Sequence, residues 1–166
     1  MKTLISYSSK TGNTKKVAEA IHEKLQGDLF DIVHGNDVDL KDYDKVIFGF
    51  WVDKGGPDAK AKVFMEQIAN KKVGVFFTLG AYPDSDHAKD VMEKTIDQLE
   101  KQGNTVMAHF CCMGKIDPKL TAMFEKLGDD SPHRMTDERR KRHEEAAKHP
   151  NDEDLIKAQD AFRCMI

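Results

Sequence analysis

Cysteine is scarce in this chain, and its placement excludes more than its number. Three cysteines in 166 residues cannot staple a disulfide scaffold. Cys111 and Cys112 are neighbours, whose direct bond is strained at best. Cys164 has no CxxC partner, and the spaced pairs of a zinc site are missing. Packing is the expected role of these thiols. Long apolar runs are also absent: the longest, Val46 to Val52, has the length of a strand and not of a membrane span. Met-Lys-Thr-Leu-Ile-Ser leads straight into a first strand and leaves no room for a leader, so the cytoplasm is the expected compartment. An excess of positive charge is lacking as well. The net charge is −3, which argues against nucleic acid as a partner. The single basic cluster, Arg134 and Arg139 to Arg142, has Glu138, Glu144 and Glu145 at helix-pair spacing and reads as a solvated, salt-bridged face. No Gly-x-Ser-x-Gly elbow supports a serine triad. The seven histidines show no metal-ligand spacing, and His109, on a strand, reads as a core histidine.

What is present is an alternation of strands and helices. Lys2–Tyr7, Leu29–His34, Val46–Phe50, Val73–Leu79 and Val106–Cys112 read as strands; Val46–Phe50 and Val73–Leu79 are unbroken apolar runs, typical of strands buried on both faces. Helices are expected over Thr14–Gln26, Ala59–Asn70, His87–Gln102 and Pro118–Leu127, the last with Leu120, Met123, Phe124 and Leu127, and a connector is expected around Leu40. Five strands with helices between them imply a single α/β domain with a doubly wound parallel sheet. The expected core ends near residue 127. Beyond it, Thr136–Lys148 and Asp152–Met165 read as extra C-terminal helices, more than one closing helix requires.

Between the first strand and the first helix lies Ser8-Ser9-Lys10-Thr11-Gly12-Asn13-Thr14. Small and hydroxylated residues here can wrap backbone N–H groups around an oxyanion at the positive end of a helix dipole. Ser9, Thr11 and Thr14 each offer a hydroxyl donor, and Gly12 relieves a tight turn. An ordinary strand-to-helix turn capped by Asn13 or Thr14 fits the same residues. A Walker-type loop does not, because no Gly-Lys-Ser/Thr closes the stretch, and one glycine cannot make a dinucleotide fingerprint.

The stretch Ile5 to Thr14, followed by Ala18 and Ile21, resembles the flavodoxin signature, in which this loop holds the 5′-phosphate of FMN. The resemblance extends over about residues 2–127 in motif order and implies the sheet order 2-1-3-4-5, with the ligand crevice where that order reverses. It implies that Phe50, Trp51, Val52, Asp53, Lys54 and Gly55 form one loop beside the flavin ring. Thr78, Leu79, Gly80, Ala81 and Tyr82 then form the other. Trp51 and Tyr82 are candidates to stack on the ring, although Trp51 equally suits a cap on the sheet edge. Lys54 is either a charge near the reduced ring or a solvated lysine. In the family, a small residue in the first loop lets a peptide flip toward N5, which makes Gly55 and Gly56 candidates. The resemblance implies an electron-transfer protein serving a partner reductase, without nucleic acid or membrane. An FMN-dependent reductase of a small organic acceptor and a flavin-free binding module remain alternatives. The charge of −3 is milder than is common in that family.

Overall fold

The apolar runs of the sequence become the centre of a parallel sheet in the computed structural model, which describes residues 1–166. Strands β1 (Thr3–Tyr7), β2 (Asp28–Asp31), β3 (Lys45–Asp53), β5 (Lys72–Leu79) and β6 (Thr105–Met113) lie in the order β2-β1-β3-β5-β6, all neighbours parallel. A two-residue strand, β4 (Gly56–Pro57), folds back antiparallel on the end of β3. Without it the order is the expected 2-1-3-4-5. Lys45–Phe50 of β3 and Val73–Leu79 of β5 are buried throughout, which only central strands covered on both faces achieve.

Helices cover the two faces separately. Helix α1 (Asn13–Leu25) packs with α6 (Asp152–Ala161) on one side, where Val17, Ile21, Ala158 and Phe162 meet Ile5, Ile47 and Phe76. Helices α2 (Ala59–Met65) and α3 (Asp86–Lys101) bring Phe64, Met65, Val91 and Leu99 to the other side, against Phe48, Phe50, Val75 and Phe77. Phe162 reaches the sheet because β5 carries a glycine opposite it. A Cβ on Gly74 would lie 2.7 Å from the Phe162 ring.

Several expectations shift. The helix expected over Ala59–Asn70 ends at Met65, and the chain then turns so that Ile68 is fully buried. Strand β3 runs on to Asp53, so Trp51 lies within the strand and not beyond it. His109 is exposed on the edge strand β6 and is no core residue. The largest shift concerns the C-terminal third. The helix that closes the sheet is α6, whereas α4 (Pro118–Glu125) and α5 (Asp137–Ala146) form an insertion between β6 and α6. Helix α4 buries no residue, and α5 buries His143 and Ala146 alone. The insertion is clasped by His149, whose Nδ1 lies 2.6 Å from Asp154 and whose Nε2 lies 3.1 Å from Glu145. Its carbonyl accepts from Lys115 N–H at 3.0 Å.

Candidate functional site

The turn into α1 is where a ligand site begins. Helix α1 starts at Asn13, and its N-cap is Gly12 at φ 96°, a conformation that glycine adopts without the cost a Cβ brings. Neither Asn13 nor Thr14 caps the helix, and no side chain replaces them. The first turn holds no acidic residue either. The orphan amides and the positive dipole end are therefore left for something outside the chain. Ser9 Oγ accepts from Gly12 N–H at 3.2 Å and shapes the loop. Space around Gly12 is open: a Cβ there would meet nothing within 4 Å. An uncapped, open helix start differs from the plain turn that the sequence also allowed.

A cleft of about 440 Å³ opens at this point. It lies at the carboxyl ends of β1 and β3, where the strand order reverses and ligands of such sheets bind. Ser9, Lys10, Thr11, Asn13 and Thr14 border one end, and Trp51, Val52, Thr78, Leu79, Gly80 and Ala81 border the rest. Thr14 Oγ1 and Thr78 Oγ1, both buried, lie 2.8 Å apart and tie the two loops together. Lys10 Nζ sits 5.4 Å from the centroid of the Trp51 ring, a cation–π contact across the cleft.

Other expected residues stand elsewhere. Ser8 is fully buried and donates its hydroxyl to Asp58 Oδ2 at 2.6 Å, fastening the loop to the start of α2. Phe50 is fully buried and stacks on Phe77 with centroids 5.3 Å apart, because alternation along β3 turns it into the core. Gly12 forms the turn without lining the cleft. Asp53, Lys54 and Gly55 belong to the β3–β4 hairpin, where Asp53 pairs with Gly56. Lys54 and Gly55 have φ of 50° and 79°, the both-positive pattern of a tight hairpin turn. Tyr82 is 43% exposed and lines a neighbouring groove.

The sequence reading missed the far wall. Gly114, Lys115, Ile116 and Asp117 follow β6, and Leu120 and Phe124 of α4 stand beside Arg142 and His143 of α5. His87 adds the start of α3. The segment after β6 is bound to the first loop, since Asn13 Nδ2 donates to the Lys115 carbonyl at 3.0 Å. His143 is buried against Phe124, with Nδ1 2.8 Å from Thr121 Oγ1. Burial, and then the neighbouring Arg142, push its pKa below the usual histidine value. Arg142 Nε is buried without a partner. Cys112 is buried and its thiol is pushed well up by that burial; Cys111 is pushed up to about 11 for the same reason. Neither is a reactive thiolate near neutral pH.

Fold and site together define an α/β protein of flavodoxin-like topology with an anion-ready helix start at its topological switch point. The flavodoxin-domain family model matches residues 4–163, and the chain belongs to that family. It is 36% identical over 165 residues, 95% of this chain and 92% of the relative, to the flavodoxin-like domain-containing protein BilS of Clostridioides difficile (strain CD3). Among solved structures it is similar to oxidised flavodoxin 2 from Bacillus cereus, with a TM-score of 0.60 and 21% identity over the whole of both chains. A flavoprotein from Lactobacillus acidophilus, solved in complex with FMN, superposes with a TM-score of 0.53 at 20% identity, covering 75% of this chain and 99% of that one.

Proposed function

We propose that the cleft holds FMN and that the protein carries electrons between the cofactor and a redox partner such as a reductase. The observation that carries this reading is the helix start at Gly12, uncapped and open, bordering a cleft of about 440 Å³. The residues present fit the cofactor. The first amides of α1, with the hydroxyls of Ser9, Thr11 and Thr14, supply donors for a dianionic phosphate, and Lys10 and Lys115 supply charge. Trp51, Val52, Leu79 and Ala81 supply an apolar and aromatic wall for the ring system. When bound, FMN supplies the redox chemistry, and the chain binds, orients and shields it. The FMN-bound relative lends support to this assignment.

Titration of the flavin-free chain with FMN tests the reading. A yellow complex with FMN, and much weaker binding of riboflavin, are expected, because riboflavin leaves the phosphate donors empty. Failure to take up FMN would leave the flavin-free module as the reading. A second reading, a reductase acting directly on a small acceptor, is favoured by one observation: Leu120, Phe124, Arg142 and His143 cover part of the cleft. Oxidation of NAD(P)H by the FMN-loaded protein alone would decide for it, while dependence on an added partner would decide for the carrier.

A further inference from the structure

The charge around the cleft runs against the charge of the chain. The whole sequence carries −3. A groove of about 620 Å³ adjoins the cleft and shares Ala81, His87 and Arg142 with it. Lining the two are Lys10, Lys115, Arg139, Lys141 and Arg142, against the carboxylates Asp117 and Glu138. Asp117 already serves as the N-cap of α4, accepting from Lys119 N–H at 2.9 Å. A bound phosphate would account for Lys10 and Lys115, which stand near the start of α1. It does not account for Arg139 and Lys141, which line the groove alone.

Internal pairing does not account for them either. The glutamates at helix-pair spacing, Glu138, Glu144 and Glu145, predict a salt-bridged face, yet of residues 139–142 Arg140 alone forms ion pairs, and it forms them with Glu125 at 3.0 Å and Asp137 at 3.2 Å. Glu145 turns instead to Lys148 and His149. Arg139 donates to the Arg134 carbonyl at 2.6 Å, and neither Arg139 nor Lys141 pairs with a carboxylate. Apolar side chains lie exposed nearby: Tyr82 lines the same groove at 43% exposure, and Leu120, at the cleft wall, is 39% exposed. An apolar patch with a charged rim is the anatomy of a protein interface.

We propose that this basic rim on α5 is the docking face for an acidic protein partner, seated over the mouth of the cleft. The proposal rests on the cofactor reading for what the partner would reach, and on charge complementarity for the partner's kind. Rim charges of this sort steer encounter and select partners more than they add affinity. A compact acidic protein fits better than a polyanionic surface, because a few cations around apolar side chains are set in a chain of net negative charge.

The test uses a plant-type ferredoxin, an acidic protein, as one probe and cytochrome c, a basic one, as the other. Association is followed by NMR with both the flavin-free and the FMN-loaded chain, so that a failure to bind FMN counts against the cofactor reading separately. Ferredoxin is expected to bind at low salt, to perturb residues 134–142, and to be released at about 0.5 M salt, where the Debye length falls to a few ångström. Arg139→Glu with Lys141→Glu should weaken it about tenfold or more while FMN uptake stays unchanged. Arg134→Glu with Lys141→Glu should do the same and leaves the Arg139 contact with the Arg134 backbone in place. No association with ferredoxin at low salt, tighter binding of cytochrome c, or unchanged binding by both variants would overturn the proposal. So would displacement of ferredoxin by anionic lipid vesicles or by a DNA duplex, which would reassign the face to that surface.

Discussion

The paired hydroxyls of Thr14 and Thr78 allow stability and cofactor affinity to be separated. Both residues are buried, 1% and 3% exposed, and their oxygens lie 2.8 Å apart. Two hydroxyls bonded to each other use one proton between them, so the pair retains one O–H for a third group. Both line the cleft beside the uncapped end of α1, where that group would be a phosphate oxygen. Thr14→Val keeps the shape and deletes two things at once. It removes a hydrogen bond to a charged oxygen, worth roughly 1.5–3 kcal/mol, which is about a tenfold to hundredfold loss of FMN affinity. It also leaves Thr78 Oγ1 buried without its partner, at about 1–3 kcal/mol of apoprotein stability, or a few degrees in the melting temperature.

The double variant Thr14→Val with Thr78→Val removes both polar groups. Replacing both partners by apolar groups of the same shape is close to neutral, so the melting temperature should return most of the way to that of the native chain. FMN affinity should stay low, because the hydroxyl this pair offered to the phosphate is gone while only those of Ser9 and Thr11 remain. Thermal melts of the flavin-free proteins and fluorescence titrations with FMN measure the two quantities independently. Recovery of affinity together with stability in the double variant would refute the reasoning, since Thr14 would then act through the fold and not through the ligand. Native affinity in Thr14→Val alone would do the same.

Three further outcomes are expected. Bound FMN should be strongly quenched by the Trp51 ring, and Trp51→Leu should restore part of the fluorescence; a wild-type complex as bright as free FMN would exclude the stacking. Gly114→Ala should weaken FMN severalfold with little loss of fold, because the new Cβ would lie 2.8 Å from Asn13 Nδ2 and dislodge the bond from Asn13 to Lys115; unchanged affinity would show that the segment after β6 does not hold the first loop. Burial works against a charge on His149, yet its bonds to Asp154 and Glu145 prevail and raise its pKa above the usual histidine value. Its contribution to stability is thus fully present below about pH 6.5, its unfolded pKa, and is lost as pH rises through the higher folded value. Melting temperatures measured from pH 6 upward should show this loss, and His149→Gln should abolish it; an identical pH profile for the variant would remove the clasp.

The parts of the site that were legible in the sequence are those made from contiguous residues. Ser9 to Thr14 sits between an apolar run and an amphipathic helix, and that order alone places it at a sheet's ligand edge. Unbroken apolar runs such as Val73–Leu79 marked the buried central strands, whereas the strand order came from the family resemblance. Ser8 was less legible, because its hydroxyl is claimed by Asp58, a buried carboxylate fifty positions along the chain. Phe50 and Trp51 could not be told apart by proximity to the strand end; extension of β3 to Asp53 put one in the core and the other in the cleft. The hairpin at Lys54-Gly55 hid behind a Gly-Gly-Pro that also suits a plain turn. The far wall was legible as helices, over Pro118–Leu127 and Thr136–Lys148, but its residues were not legible as lining the cleft. Helix α4 buries nothing, so its apolar residues leave no core-facing stripe, and the charges of α5 suggested only a solvated surface.

That same difference sets how firmly the two sides of the cleft are held. The side formed by Ser9 to Thr14 stands on β1 and α1, where Ile5, Val17 and Ile21 are fully buried. The opposite side stands on α4 and α5, held by the Arg140 pairs with Glu125 and Asp137, the Thr121–His143 bond and the His149 clasp. The Arg140 pairs are exposed and contribute little. Helix α4 buries no residue, so even with the part-buried bonds of His143 and His149 this insertion should open by local unfolding long before the sheet does. Hydrogen exchange of the flavin-free chain should show amides of residues 118–146 exchanging far faster than those of β1, β3 and β5. Leu120 and Phe124 line the cleft, and contact with a bound ring would slow exchange in α4 selectively, because binding stabilises the closed form against the open one. Protection of α4 equal to that of the central strands in the flavin-free chain would show that the insertion is part of the rigid core. Unchanged exchange in α4 on saturation with FMN would show that this wall faces the cleft without touching what fills it.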